Sequence, residues 1–278
     1  MTTKTPAEAG DREVAAAVDV VRLGVKACAA YGRPDLGERL ELSLRKLGTP
    51  GIHIVVIGEF KKGKSSLVNA LVGAPVCPVD DDVATALPTY VRHGEQTGAQ
   101  LILDTDPPRR QPVPLDQVRR YVVEGAGPEP SPKDLGGAPP KVAGVEILLP
   151  RSMLAGGLVV VDTPGLGGLG SAHAAASLAA TSMADAVLFV TDASQELTPT
   201  EIEVIRRARE LCGTVACVIT KTDFHPMWRR IRELNEGHLK ALGGVIPQIG
   251  RASCRWSAPR GCAGTTRRSS AGSRRRAP

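Results

Sequence analysis

A nine-residue segment, GEFKKGKSS, lies between the apolar run IHIVVI and the amphipathic run LVNALVG. It fits the pattern GxxxxGK[ST], in which glycines let the backbone curl and point successive N–H groups at a phosphate. A helix starting at Lys64 would add the positive end of its dipole. The sequence therefore predicts a phosphate-binding loop made of Gly58, Glu59, Phe60, Lys61, Lys62, Gly63, Lys64, Ser65 and Ser66.

Three side chains at the end of this loop have distinct expected roles. Lys64 is expected to reach the β- and γ-phosphates of a nucleotide and to act in catalysis. Ser65 is expected to give its hydroxyl to Mg²⁺, and Ser66 is placed for the α-phosphate. The loop is thus interpreted as the cradle of a nucleoside triphosphate.

Two later apolar runs end in polar motifs that would complete a GTP site. In VVVDTPG, Asp162 can hold Mg²⁺ through water and the N–H of Gly165 can sense the γ-phosphate. In VITKTD, Thr220 ends the strand, the stem of Lys221 lies along a base, and Asp223 accepts hydrogen bonds from two guanine donors that adenine lacks. Each motif alone is a weak signal, but their order favours GTP over ATP.

A threonine between the loop and DTPG is needed to close over Mg²⁺ and the attacking water. Thr85, in PVDDDVATALPTYV, is the expected catalytic and metal-binding residue. Thr89 is the alternative, although its expected role is to begin the next strand. The three aspartates 80–82 are interpreted as a solvated loop and not as a metal site.

The composition limits the class of protein. The chain has 278 residues, 42% hydrophobic and only 3% aromatic, so an aliphatic core is expected. No apolar run approaches the roughly 18 residues that a membrane-spanning helix needs. The N-terminus lacks a secretory pattern, and the six cysteines show no CxxC pair, as in reduced intracellular proteins. We expect a cytoplasmic protein, with peripheral attachment to the inner face of the plasma membrane as an option.

The basic charge is concentrated at the C-terminus. Residues 250–278 contain eight arginines and no acidic residue, so a total of +6 leaves −2 for residues 1–249. No nucleic-acid partner is therefore expected for the body. The arginine-rich segment is interpreted either as a disordered basic tail or as an out-of-frame translation that replaces the original C-terminal part.

Apolar patterning predicts two helices followed by an α/β domain with a mostly parallel central sheet. Residues 1–49 are interpreted as N-terminal helices that pack on the body or in a bundle, and residues 50–249 as the nucleotide-binding domain. Proline- and glycine-rich stretches at 107–114 and 125–140 predict an insertion on its rim. The predicted strands are 52–57, 99–103, 145–149, 158–161, 186–191 and 215–219, and the predicted helices are 64–72, 171–183, 199–212 and 226–242.

With GEFKKGKSSLVNALVG, ATALPTY, VVVDTPGLGG and VITKTD, the chain resembles the bacterial dynamin-like GTPases, including the isoniazid-inducible group. The resemblance covers roughly residues 50–245 and implies a dynamin-type GTPase domain with the P-loop NTPase fold. It also implies that GTP is hydrolysed with Mg²⁺, that two copies pair across their nucleotide faces, and that the intact form remodels membrane lipid by self-assembly. Helical stalks and a lipid-binding tip belong to that pattern, and we expect them to be missing here.

Three positions depart from the pattern of related GTPases. Eukaryotic dynamins have glutamine and serine where this chain has Phe60 and Lys61, and Leu166 follows DTPG where Ras-like enzymes have a water-orienting glutamine. Lys61 either supplies transition-state charge or points to solvent. Two other functions stay open: an Era-like GTPase acting on RNA or the ribosome, and a truncated GTPase domain that binds GTP without turnover.

Overall fold

A computed structural model of the protein describes residues 6–48, 51–79, 85–105, 108–123, 141–167, 177, 179–242 and 250–251. The helices are α1 (Pro6–Ala30), α2 (Pro34–Gly48), α3 (Lys64–Val72), α4 (Val118–Val122), α5 (Ser152–Ala155), α6 (Pro199–Leu211) and α7 (Trp228–Ala241). The strands are β1 (Ile52–Ile57), β2 (Thr89–His93), β3 (Gly98–Leu103), β4 (Arg109–Val113), β5 (Val142–Leu149), β6 (Leu158–Asp162), β7 (Ala186–Asp192), β8 (Val215–Thr220) and β9 (Gly250–Arg251).

One sheet contains all nine of these strands, in the order β4-β3-β5-β2-β6-β1-β7-β8-β9. β1 lies between β6 and β7 and is parallel to both, and β7 is parallel to β8. The antiparallel pairs are on the other side, where β2 meets β6 and β3 meets β4 and β5. The carboxyl ends of β6, β1, β7 and β8 therefore share one edge, where ligands of such sheets bind.

Apolar side chains cover both faces of the sheet, as an α/β fold requires. On one face α3, α4 and α5 pack against the strands through residues such as Val68, Val122 and Leu154. On the other face α6 and α7 pack through residues such as Ile205 and Leu239. Both cores are mostly aliphatic, as the low aromatic content predicts.

The N-terminal helices α1 and α2 form a hairpin in which they pack mainly against each other. Lys46 of α2 donates a hydrogen bond to the carbonyl oxygen of Ala184 at 3.1 Å, which joins the hairpin to the sheet domain. Val20 and Leu23 of α1 are 70% and 68% exposed. Among the helices of the described segments, none combines the length and the apolar character needed to cross a bilayer.

The structure confirms the α/β prediction and corrects it at the rim. Part of the proline-rich stretch 107–114 forms the strand β4, because each of residues 109–113 pairs with a residue of β3. Thr89, the alternative to Thr85 as the threonine that closes over Mg²⁺, is the first residue of β2, which is the role expected for it. Of the predicted helix at 171–183, residue 177 and residues 179–182 are helical, and the rest of its N-terminal part lies outside the described residues. Gly250 and Arg251, which the sequence analysis assigned to the basic tail, instead form β9 by pairing with β8, and residues 252–278 lie outside the described residues.

Candidate nucleotide-binding site

The predicted phosphate-binding loop connects β1 to α3, as the sequence indicates. Gly58 has φ 150°, and a Cβ at this position would lie 2.2 Å from the carbonyl oxygen of Val190 in β7. At Gly165 a Cβ would lie 2.9 Å from the Cα of Phe60. Side chains at these two positions would thus separate the loop from β7 and from the DTPG turn.

A cleft of about 190 Å³ opens over this loop. It is bordered by nine of the predicted site residues, namely Phe60, Lys61, Gly63, Lys64, Ser65, Ser66, Thr85, Gly165 and Lys221. Pro78 and Val79 also line it, and the sequence analysis did not single them out. The other predicted site residues do not line the cleft, so any role of theirs depends on a contact through a neighbour or on the position of a bound ligand. They are Gly58, Glu59, Lys62, Asp162, Thr220 and Asp223.

The Lys64 ammonium group is buried at the cleft. The side chain donates a hydrogen bond to the carbonyl oxygen of Glu59 at 2.8 Å, and the residue is only 7% exposed. Burial lowers the pKa of Lys64 to about 8, although the charges of Asp162 and Glu59 oppose the change. A cation held with so little solvation gains strongly from an anionic ligand.

Ser65 and Asp162 form the second polar contact of the cleft. The Ser65 hydroxyl donates to Oδ2 of Asp162 at 2.6 Å, and Asp162 is fully buried at the end of β6. Its Oδ1 has no hydrogen-bond partner of normal geometry among the described residues. Burial raises the pKa of Asp162, against the hydrogen bond from Ser65, the charge of Lys64 and a hydrogen bond from the Cys77 thiol. A hydroxyl beside a carboxylate with a spare oxygen fits Mg²⁺, which prefers oxygen ligands.

Thr85 lies at the cleft but is held by its backbone to the rim of the domain. It forms an isolated antiparallel bridge with Val123, and the N–H of Ala86 donates to the carbonyl oxygen of Val122 at 2.7 Å. The structure therefore brings Thr85 to the same cleft as Lys64 and Ser65.

The loop after α3 is fixed by Asn69, a residue that sequence reasoning missed. Its Oδ1 accepts hydrogen bonds from the N–H groups of Val76 and Cys77, and its Nδ2 donates to the carbonyl oxygen of Cys77 at 2.8 Å. This side chain therefore holds the segment that carries Pro78 and Val79 to the cleft. The only sequence signal was a polar residue on the buried side of an amphipathic helix.

Replacing Asn69 by alanine is expected to lower the free energy of unfolding by about 2 kcal/mol, because three backbone groups lose their partner in a mostly buried place. Urea denaturation measures this value. Gln96→Ala removes an exposed amide and is the control, since it should change little. A loss at Asn69 no larger than that of the control would contradict the assigned role.

The predicted base-recognition segment begins where β8 ends. The Thr220 hydroxyl lies 2.6 Å from the carbonyl oxygen of Lys62 and 3.1 Å from that of Thr191, so it fastens the phosphate-binding loop to β7. Lys221 lines the cleft in a left-handed backbone conformation with φ 53°, which is uncommon for a residue other than glycine. Asp223 is exposed two residues further on.

The amine of Lys62 is directed to an ion pair behind the loop. It lies 3.1 Å from Oδ1 of Asp192, and Lys221 lies 3.0 Å from Oδ2 of the same carboxylate. Asp192 was not among the predicted site residues. The available signal was an apolar strand ending in aspartate, FVTD, which is the same pattern that identified Asp162.

Comparison with known proteins agrees with this geometry. The profile of the Dynamin family matches residues 54–222, from β1 to the residue before Asp223, which is more than half of the chain. The chain belongs to the dynamin family. The α/β sheet and phosphate-binding loop are accordingly those of a dynamin-type GTPase domain with the P-loop NTPase fold.

Two relatives illustrate how much of a dynamin-like protein the chain represents. It is 35% identical over 245 residues to the isoniazid-induced protein IniA of Mycobacterium tuberculosis. The aligned region covers 87% of this chain and 37% of IniA. It is 28% identical over 164 residues to the bacterial dynamin-like protein of Nostoc punctiforme, covering 58% of this chain and 23% of that protein. The chain thus spans well under half the length of these relatives.

A solved structure of an oligomerised bacterial dynamin pair has the same fold. It superposes with a TM-score of 0.55 at 18% sequence identity and covers 78% of this chain and 33% of the solved one. At that level of identity the match supports the fold alone.

Proposed function

We propose that this dynamin-family chain binds GTP with Mg²⁺ and hydrolyses it to GDP and phosphate. The observation that carries the proposal is a poorly solvated lysine, Lys64, that lines one cleft together with Ser65, whose hydroxyl donates to the buried carboxylate of Asp162. Such a set complements a triphosphate and its metal ion. Guanine as the base is supported by the TKTD segment, in which Lys221 borders the cleft.

Ser65, Thr85 and Asp162 are the residues that would hold Mg²⁺. The buried Oδ1 of Asp162 supports this assignment, because it makes no hydrogen bond of normal geometry among the described residues and the Cys77 thiol beside this carboxylate is a weak donor. When bound, the ion would neutralise charge on the β- and γ-phosphates. The protein contributes the hydrogen bond that orients the Ser65 hydroxyl toward Asp162 at the end of β6.

Orientation of the attacking water is assigned to Thr85 and to backbone groups. Leu166, which follows DTPG, is 2% exposed and packs in the core on the face of the sheet that α6 and α7 cover. Its side chain is therefore not available to water. Thr85 borders the cleft and so has access to it. The N–H of Gly165 is the backbone donor proposed for the γ-phosphate.

Lys61 is proposed to supply an additional positive charge to the transition state. It borders the cleft, its backbone has φ 60°, and its ammonium lies 5.5 Å from the centre of the Phe60 ring, which is itself 42% exposed. Lys61→Ala should lower kcat by at least about tenfold, while Lys61→Arg keeps the charge and most of the rate.

Lys61→Gly serves as the matched control for this prediction, because glycine accepts the left-handed backbone without strain and also lacks the charge. Both Ala and Gly variants should therefore be slow. Phosphate release is measured over a range of protein concentrations. Turnover unchanged in both variants at every concentration would show that only the backbone N–H of residue 61 matters.

At the level of the intact protein, we propose GTP-dependent self-assembly that remodels or maintains membrane, with peripheral attachment at the inner face of the plasma membrane. Support comes from membership of the dynamin family. Two copies would pair across their nucleotide faces, where Phe60 and Phe224 expose apolar surface. Residues 1–49 would serve as bundle helices beside the nucleotide-binding domain, whose sheet extends to β9 at Gly250–Arg251.

The test is GTP turnover measured against protein concentration, with and without vesicles of anionic phospholipid. The specific rate should rise with concentration and rise further with lipid. A specific rate that is constant under both changes would contradict assembly. GTP binding without any phosphate release would leave a nucleotide-binding domain that does not turn over by itself.

A further inference from the structure

Asp192 occupies a position between two of the motifs that form the candidate site. It is the last residue of β7, which lies between β1, the strand leading into the phosphate-binding loop, and β8, the strand leading into TKTD. In the register of β7 with β8, Asp192 is opposite Thr220. Nothing in the proposed chemistry of GTP hydrolysis uses this carboxylate.

The Asp192 carboxylate joins these two motifs through both of its oxygens. Oδ1 accepts from Lys62 at 3.1 Å and from Ser194, and Oδ2 accepts from Lys221 at 3.0 Å. The side chain is 8% exposed. Burial opposes its ionisation, but the hydrogen bonds from Ser194, Lys221 and Lys62 outweigh burial and keep the pKa of Asp192 below its usual value. It is therefore a charged acceptor at neutral pH.

The contact with Asp192 has a different consequence for each lysine: it neutralises the charge of Lys62 and restricts the conformation of Lys221. The Lys62 side chain is 11% exposed, so without Asp192 it would be a nearly buried unpaired charge. The Lys221 side chain is 37% exposed, and its backbone has φ 53° at the border of the cleft. A long side chain on an uncommon backbone conformation has many alternatives, and an anchored amine removes most of them.

We propose that Asp192 is a positioning residue for nucleotide binding: by holding the amine of Lys221 against the base of the phosphate-binding loop, it places the Lys221 stem where a guanine base would lie. This inference rests on the proposed GTP-binding function. Asp192 is not among the residues that line the cleft, so its proposed effect is exerted through Lys221. It lowers the cost of binding by ordering Lys221 before the ligand arrives.

The sign of the effect separates positioning from simple electrostatics. Removing a negative charge beside an anionic ligand strengthens binding by Coulomb's law alone. The positioning role predicts the opposite. In Asp192→Asn, a fluorescent GDP analogue should dissociate about tenfold faster than from the wild-type chain, which corresponds to about 1.4 kcal/mol.

A double-mutant cycle tests whether Asp192 acts through Lys221. Lys221→Met keeps an apolar stem without the amine, and it should also dissociate about tenfold faster. In the double variant, Asp192→Asn should add less than about twofold to that rate, since the contact has already been lost. Glu203→Gln is the matched control, because Glu203 accepts from Arg206 and Arg207 on the exposed side of α6, and the rate should not change.

Each outcome has a defined meaning. If the wild-type chain does not bind the GDP analogue, the proposed function fails, whatever Asp192 does. If the wild type binds and Asp192→Asn dissociates at the wild-type rate or more slowly, or if the two substitutions are fully additive, the positioning role is overturned. Should Asp192→Asn fail to fold, Lys221→Met decides alone, because it leaves Asp192 paired with Lys62; a wild-type rate in that variant also overturns the role.

Discussion

Replacing Lys64 by methionine is expected to abolish GTP turnover while leaving the unliganded protein at least as stable as the wild type. Methionine retains the apolar stem but not the charge that would contact the β- and γ-phosphates, and kcat should fall by at least about 100-fold. In the absence of a ligand the charge itself is unfavourable, because burial lowers the pKa of Lys64 to about 8 from 10.5. The protonated side chain therefore destabilises the folded state at neutral pH.

The pH dependence follows from the same values. Below pH 8, Lys64 is charged in both the folded and the unfolded chain, and the full penalty is present. Between about pH 8 and 10.5 the folded state loses the proton first, so this residue's contribution to stability rises with pH. Lys64→Met should consequently gain most over the wild type below pH 8, and the difference should shrink above it.

Two measurements check the Lys64 prediction: phosphate release with GTP and Mg²⁺, and urea denaturation at pH 7 without nucleotide. Lys26→Met on the exposed side of α1 is the control and should change neither. Turnover of Lys64→Met within twofold of the wild type would refute the assigned role. A large loss of stability in the unliganded variant would instead show that Lys64 is a structural residue.

Replacing Asp223 by asparagine is expected to change the preferred base from guanine to xanthine. A carboxylate can accept hydrogen bonds from both N1–H and the N2 amino group of guanine. Asparagine offers one acceptor and one donor, and the donor matches the carbonyl that xanthine has at position 2. GTP binding should weaken by about 100-fold, because one hydrogen bond to a charged acceptor is lost and the asparagine NH2 group then faces the N2 amino group of guanine, while XTP binding strengthens.

Competition of GTP and XTP against a fluorescent GDP analogue measures the change in preference. Asp19→Asn on α1 removes an exposed carboxylate far from TKTD in the chain and should leave the preference unchanged. If Asp223→Asn lowered the affinity for GTP and XTP equally, the residue would be needed for folding or for charge and would not read the base.

Local patterns were sufficient to predict the elements that carry the site. The IHIVVI run becomes β1, with Val55, Val56 and Ile57 buried, because a strand in the middle of a parallel sheet is covered on both faces. The glycine pattern placed the loop, and Gly73 ends α3 in the left-handed conformation that its type predicts. In each case neighbouring residues determine the structure.

The features that were missed depend on partners distant in the chain. The sequence of β4 is typical of a proline-rich loop, because residues 109–112 are exposed and the segment forms a strand only by pairing with β3. Its position at the edge of the sheet tolerates Pro112. Asp192 meets Lys62 across 130 residues of sequence. Asn69 is polar on a helix, and only the folded loop at 76–77 supplies its partners.

The central claim is that one cleft binds a guanine nucleotide through Lys64, Ser65, Asp162 and Asp223. Isothermal titration of the wild-type chain with GTP, GDP and ATP in the presence of Mg²⁺ tests it most directly. We expect saturable binding of GTP and GDP at one site per chain, much weaker binding of ATP, and a loss of GTP affinity when Mg²⁺ is chelated. Binding of neither GTP nor GDP, or equal affinity for ATP and GTP, would contradict it.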